Sequence, residues 1–245
     1  LNIEVCKQAE DVGIKAAELV VQERKQTSSF VLGCATGGTP IPFYRELVSA
    51  HYAGRISFTD VQTLNLDEYV GLSQNDPQSY YAYMQEHLFQ YVNLPSTHTH
   101  LPNGTANSLP EECRRYESLF TSYPVDVQIL GLGHNGHIGF NEPGSSLNST
   151  TRIVKLAEET RQANARYFSS AEEVPSRAIT AGIRTIMRAK HIVLLVSGEN
   201  KKAAMTQLLN TRQATEQFPA SVLWTHPQVT IFVDEAACPE AVSTI

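Results

Sequence analysis

Short apolar-rich runs alternate along this chain with stretches whose hydrophobic positions recur at helical spacing. Residues 30–35, 61–66, 125–132 and 191–196 have the length and composition of strands, and the last two are the most strongly apolar. Between the first two, Tyr44, Leu47, Val48 and His51 share one helix face at i, i+3, i+4 and i+7. Asp76-Pro77 reads as a cap with proline at the first helical position, continued by Tyr81, Met84, Leu88 and Tyr91. Ser108-Leu109-Pro110-Glu111 has the pattern of a capping box, with Cys113, Tyr116 and Phe120 on the buried side. Ile179, Ile183, Ile186 and Met187 mark a further helix face, and Met205, Leu208 and Leu209 another. Two short apolar runs, 222–224 and 229–233, close the chain.

Apolar strands alternating with helices predict a parallel sheet covered on both faces. The expected fold is therefore α/β: a three-layer αβα sandwich around a mostly parallel, doubly wound sheet. No Pro/Gly/Ser-rich linker interrupts it, so residues 1–245 read as a single domain. The formal charge of −6 and the absence of any Lys/Arg run longer than two argue against nucleic acid or a membrane surface as partner, since both demand a basic stripe. The four cysteines are far apart and match no zinc spacing, which fits buried thiols in a reducing compartment. With no signal-peptide pattern at the first residues, the expected location is cytoplasmic.

In open parallel sheets, ligands bind beyond the carboxyl ends of the strands. Four predicted strand ends carry polar sequences unlike ordinary turns: Thr36-Gly37-Gly38-Thr39, Asn65-Leu66-Asp67-Glu68, residues 131–137 and residues 197–201. Parallel strands would bring all four to one rim. The glycine pair admits an anion close to the backbone ahead of a helix start, although a tight turn with a threonine cap accounts for it as well. It is neither a Walker loop nor a dinucleotide fingerprint. Lys201 is a second phosphate candidate. A carboxylate at Asp67 can act as a general base, and only one of Asp67 and Glu68 can face the rim, because alternate residues point to opposite sides. His137 and Glu142, five residues apart on a glycine-punctuated loop, can meet so that the carboxylate orients the imidazole. A metal held by His134, His137 and Glu142 is disfavoured without a helical HExxH arrangement, and no GxSxG elbow supports a nucleophilic serine. No metal or cofactor is expected.

These same residues make the chain resemble the glucosamine-6-phosphate deaminase (glucosamine-6-phosphate isomerase) family. The resemblance is carried by Ala35-Thr36-Gly37-Gly38-Thr39-Pro40, Leu66-Asp67-Glu68-Tyr69, residues 131–143 and residues 160–168, in the family's order and through nearly the whole chain. It implies conversion of glucosamine 6-phosphate and water to fructose 6-phosphate and ammonia without a cofactor. By that analogy Asp67 is the base that moves a proton from C2 to C1, and His137 opens the sugar ring with Glu142 and Asn135 orienting it. Thr36, Gly37, Gly38, Thr39, Arg166 and Lys201 match the substrate and phosphate pocket, and residues 152–181 match a lid. Two departures stand out. Asn135 replaces the aspartate of some relatives, and an amide cannot share a proton. Arg152 lacks the lysine two positions on that allosteric members carry, so no activation by N-acetylglucosamine 6-phosphate and a monomer or small homo-oligomer are expected. A galactosamine-6-phosphate deaminase, a related sugar-phosphate hydrolase and a non-catalytic sugar-phosphate sensor remain as alternatives.

Overall fold

All six residues of His191–Val196 are buried. Because successive strand side chains point to opposite faces, the sheet containing this strand must be covered on both. The computed structural model describes residues 1–165, 168 and 170–240. Its strands are, in chain order, β1 (Asn2–Cys6), β2 (Phe30–Cys34), β3 (Val61–Asn65), β4 (Asp67–Tyr69), β5 (Thr99–His100), β6 (Val127–Gly131), β7 (Arg152–Lys155), β8 (Arg177–Thr180), β9 (His191–Val196) and β10 (Val229–Asp234). The α-helices are α1 (Ala9–Arg24), α2 (Ile41–Tyr52), α3 (Tyr80–His87), α4 (Leu109–Ser122), α5 (Glu158–Asn164), α6 (Ile183–Ile186) and α7 (Lys202–Asn210).

Seven strands form the main sheet in the order β1-β10-β9-β6-β2-β3-β5, and every pairing is parallel. From β2 the chain winds one way, to β3 and β5; from β6 it winds the other, to β9 and β10. The order reverses between β2 and β6, and the crevice outside their carboxyl ends is where such a sheet binds ligands. The expected doubly wound αβα sandwich is present.

A second sheet, β4-β8-β7, is antiparallel. Leu66 joins the two: its N–H donates to the Cys34 carbonyl of β2, while its own carbonyl accepts from Ala181 beyond β8. The chain therefore leaves the main sheet at Asn65 and enters the small one at Asp67. A separate apolar cluster of Tyr69, Phe140, Leu156, Val174 and Ala178 lies against the small sheet.

Four local expectations are corrected. Ile179 belongs to β8, paired with Glu68 and Ile153 on its two sides, rather than to a helix; two flanking strands outweigh a helical spacing of only a few residues. The cap of α3 is Ser79, whose hydroxyl accepts from the Ala82 N–H. Asp76 instead closes the preceding turn by accepting from the Gln78 N–H. Ser108 does cap α4, but its side chain makes no capping hydrogen bond, so the box is not formed. The run at 222–224 lies in a 3₁₀ helix, Pro219–Thr225. Among the described residues no helix is long and apolar enough to cross a membrane.

Candidate active site

A cavity of about 600 Å³ opens at the switch point. It is lined by the Thr36–Thr39 turn after β2, Asp67 after β3, Gly133, His134 and His137 after β6, and Lys201 after β9. All four strand-end segments read from the sequence thus meet on one rim. Gly37 has φ +98°, in the left-handed region where a side chain is strained, and a Cβ there would meet nothing within 4 Å. Backbone conformation, not crowding, is what calls for glycine at this turn.

Asp67 and Glu68 part ways. Asp67, nearly inaccessible at 6% exposure, faces the cavity opposite Thr180 in the antiparallel pairing. Burial, and then the charge of Glu68, raise its carboxyl from the usual range to about 8, against a hydrogen bond from Thr180. Glu68 turns the other way and accepts backbone N–H groups from Tyr69 (2.9 Å), Tyr80 (3.0 Å) and Tyr81 (3.1 Å). Burial raises it to about 7 while these amides pull it down.

Behind the imidazole of His137 lies a chain of fixed polarity. The Asn135 amide nitrogen donates to Glu142 Oε2 at 2.8 Å. An ionised carboxylate only accepts, so this contact settles which end of the Asn135 amide is oxygen. That oxygen lies 2.8 Å from His137 Nδ1 and accepts the His137 backbone N–H at 3.2 Å. Nδ1 must then carry a proton, which leaves Nε2 of the neutral ring as a proton acceptor. Glu142 Oε2 is itself 3.4 Å from Nδ1, and Thr160 on α5 donates to Oε1. Burial alone would raise the Glu142 carboxyl, but His137, Thr160 and Asn135 together hold it down at about 2.

Asn135 and Glu142 are therefore brought to His137 from behind, outside the cavity lining. His134 reaches Glu159 instead, at 3.5 Å, and among the described residues no cluster of three or more His, Cys, Asp or Glu is arranged to hold a metal. Arg166 lies outside the described residues. The sequence reading missed Tyr80, Phe140, Asn164 and Asn200 as lining groups. Asn164 and Asn200 fall inside segments already singled out, whereas nothing around Tyr80 distinguished it from a core aromatic.

The loop backbone is held tightly. A Cβ at Gly133 would land in the His137 ring, and one at Gly136 in the Phe218 ring. Gly136 also has φ +82°. Gly136→Ala is expected to lower stability by about 2–4 kcal/mol through backbone strain and overpacking combined, read as a fall in Tm.

A family model described as glucosamine-6-phosphate isomerases/6-phosphogluconolactonase matches residues 4–232. The chain belongs to this family. A glucosamine-6-phosphate deaminase of Shouchella clausii is 50% identical over 97% of this chain and 96% of that protein. Glucosamine-6-phosphate deaminase 1 of Bacillus subtilis is 46% identical over 97% and 98%. A solved structure, of a monomeric glucosamine-6-phosphate deaminase, superposes with a TM-score of 0.94 at 46% identity, covering 97% of this chain and 98% of that one. Within the glucosamine-6-phosphate isomerase family, then, this chain runs the length of its relatives and shares their fold.

Proposed function

We propose that this enzyme is a glucosamine-6-phosphate deaminase that converts glucosamine 6-phosphate and water into fructose 6-phosphate and ammonia by proton transfer. The observation that carries the reading is one cavity holding a carboxylate (Asp67), an imidazole of set tautomer (His137) and, beside them, a glycine turn with Lys201. Nε2 of His137 takes the proton from O1 of the cyclic sugar and returns it to O5, opening the ring. Asp67 then removes the C2 proton to give the enolamine, in which O1 has gained a proton and the amino group has given one up. It delivers its proton to C1, which turns the amino aldehyde into the imine of fructose 6-phosphate. Water adds to that imine carbon, and ammonia leaves. Each acid/base step is worth about 10²–10⁴-fold; the remainder comes from holding the phosphate away from the reacting carbons. The Thr36–Thr39 turn, Lys201 and, by resemblance, Arg166 form that phosphate end.

Residues 152–181 supply the lid in this reading, with a refinement. Its two ends carry β7 and β8, which pair with each other over four residues and tie the base of the lid to the small sheet. Its helix α5 presents Thr160, Ala163 and Asn164 to the cavity. The monomeric state described for the 46% identical solved enzyme supports a monomer here, and the cytoplasm is the compartment that suits a sugar-phosphate substrate.

Purified protein should release ammonia from glucosamine 6-phosphate. Tight binding without release would overturn the reading in favour of a sensor, and a higher kcat/KM on the galacto epimer would reassign the substrate. Lys201→Ala is expected to raise KM about 10-fold or more with kcat largely kept, as for one lost charge-assisted contact of about 1.5–3 kcal/mol.

A further inference from the structure

The two ends of the cavity, proton transfer and phosphate, are built on different strands, and α3 bridges them. Its first two amides, Tyr80 and Tyr81, lack partners within the helix, as at any helix start. The Glu68 carboxylate accepts both, one on each oxygen, while Ser79 accepts the third. Negative charge at this end also suits the helix dipole. One turn on, the Tyr83 hydroxyl donates to the Gly37 carbonyl at 2.7 Å. Tyr80 lines the cavity, donates its hydroxyl to that of Tyr69 at 3.3 Å and stacks on Phe140 at 6.1 Å.

We propose that Glu68 is a positioning residue: it fixes α3 to the strand end that carries Asp67, and α3 through Tyr83 sets the Thr36–Gly37 turn that receives the phosphate. This rests on the deaminase reading and deepens it by assigning the link between base and phosphate site. A buried carboxylate is needed because a neutral amide has only one acceptor atom for two divergent N–H groups. The negative charge has a second effect, since it sits next to Asp67 and disfavours ionisation there. The other titratable groups acting on this pair are Tyr69, Tyr80 and Tyr116 around Asp67, Asp76 beside Glu68, and His137 and Lys201 across the cavity.

Glu68→Gln tests both effects. KM for glucosamine 6-phosphate and the inhibition constant of inorganic phosphate should each rise about 3–10-fold, the range for loss of one neutral hydrogen bond, here that from Tyr83 to Gly37 once α3 shifts. The acid limb of kcat/KM should also move to lower pH, as the repelling charge beside Asp67 is gone. A purely structural residue would scale the amplitude at every pH and leave the limb in place, and that result would overturn the proposal. Tyr83→Phe, distant from Asp67, supplies the second arm if Glu68→Gln does not fold. It should weaken inorganic phosphate about 3–10-fold with the limb unmoved; unchanged phosphate inhibition would overturn the link through α3. Wild-type protein that releases no ammonia would refute the deaminase reading instead, so the two failures are distinct.

Discussion

Asparagine in place of Asp67 is expected to cut kcat by about 10²–10⁴-fold or more, with KM changed only a few-fold. The amide keeps the volume of the side chain and its place opposite Thr180, so the sugar phosphate still binds while the C2 proton has no acceptor. The pH behaviour follows from the same burial. Asp67 must be ionised to act, and in the free enzyme its carboxyl is raised to about 8, so wild-type kcat/KM should rise with pH up to that region. In the complex the amino group of the substrate, when protonated, favours the ionised form, which places the limb of kcat below that of kcat/KM. Asp67→Asn should lose both limbs along with the activity. Stability should move in the opposite sense. A carboxyl raised from 3.8 to about 8 on folding binds a proton in the native state that the unfolded chain releases, so stability falls as pH rises across that window. Asparagine escapes this loss, and the variant should melt at a higher temperature than wild type above pH 8. A variant with wild-type kcat, or one that melts earlier at every pH, would remove Asp67 from the role of buried base.

Much of the main sheet was legible because its strands are buried on both faces and so appear as short apolar runs; β9 matches residues 191–196 without a shift. The rim was legible for a related reason. A buried strand ending in Gly, His, Asp or Lys stands out against its own apolar body. What escaped were elements defined by their partners. β4, β7 and β8 are three or four residues long, and their antiparallel pairing leaves too few positions for a period to emerge. β1 is an edge strand with most of its residues exposed or half-buried, and it too showed no apolar run. The split between Asp67 and Glu68 was posed by alternation but could be assigned only once Glu68 was seen on the amides of α3. The state of Asn135 was likewise posed by its replacing an acid, and its orientation was set by Glu142, seven residues away.

His137→Gln is expected to lower turnover of the cyclic substrate by about 10²–10⁴-fold and to do so in a way that separates it from Asp67→Asn. The Asn135 oxygen and Glu142 hold a proton on Nδ1, so the lone pair of Nε2 is the group that exchanges protons with the ring oxygens. Glutamine has no equivalent that can both accept and return a proton. If ring opening is the only step lost, the variant still processes any open-chain sugar that forms spontaneously in solution, with Asp67 intact. Its rate should then increase with enzyme concentration at first and level off at the uncatalysed rate of ring opening. Asp67→Asn retains ring opening but lacks the transfer from C2 to C1, so its residual rate should stay proportional to enzyme throughout. Progress curves over a wide range of enzyme concentration distinguish the two. A plateau for His137→Gln alone supports one proton carrier for the ring and another for the carbon skeleton. Strict proportionality in both variants would mean that His137 also acts after the ring has opened, and that the polar chain through Asn135 to Glu142 serves the isomerisation as much as the opening.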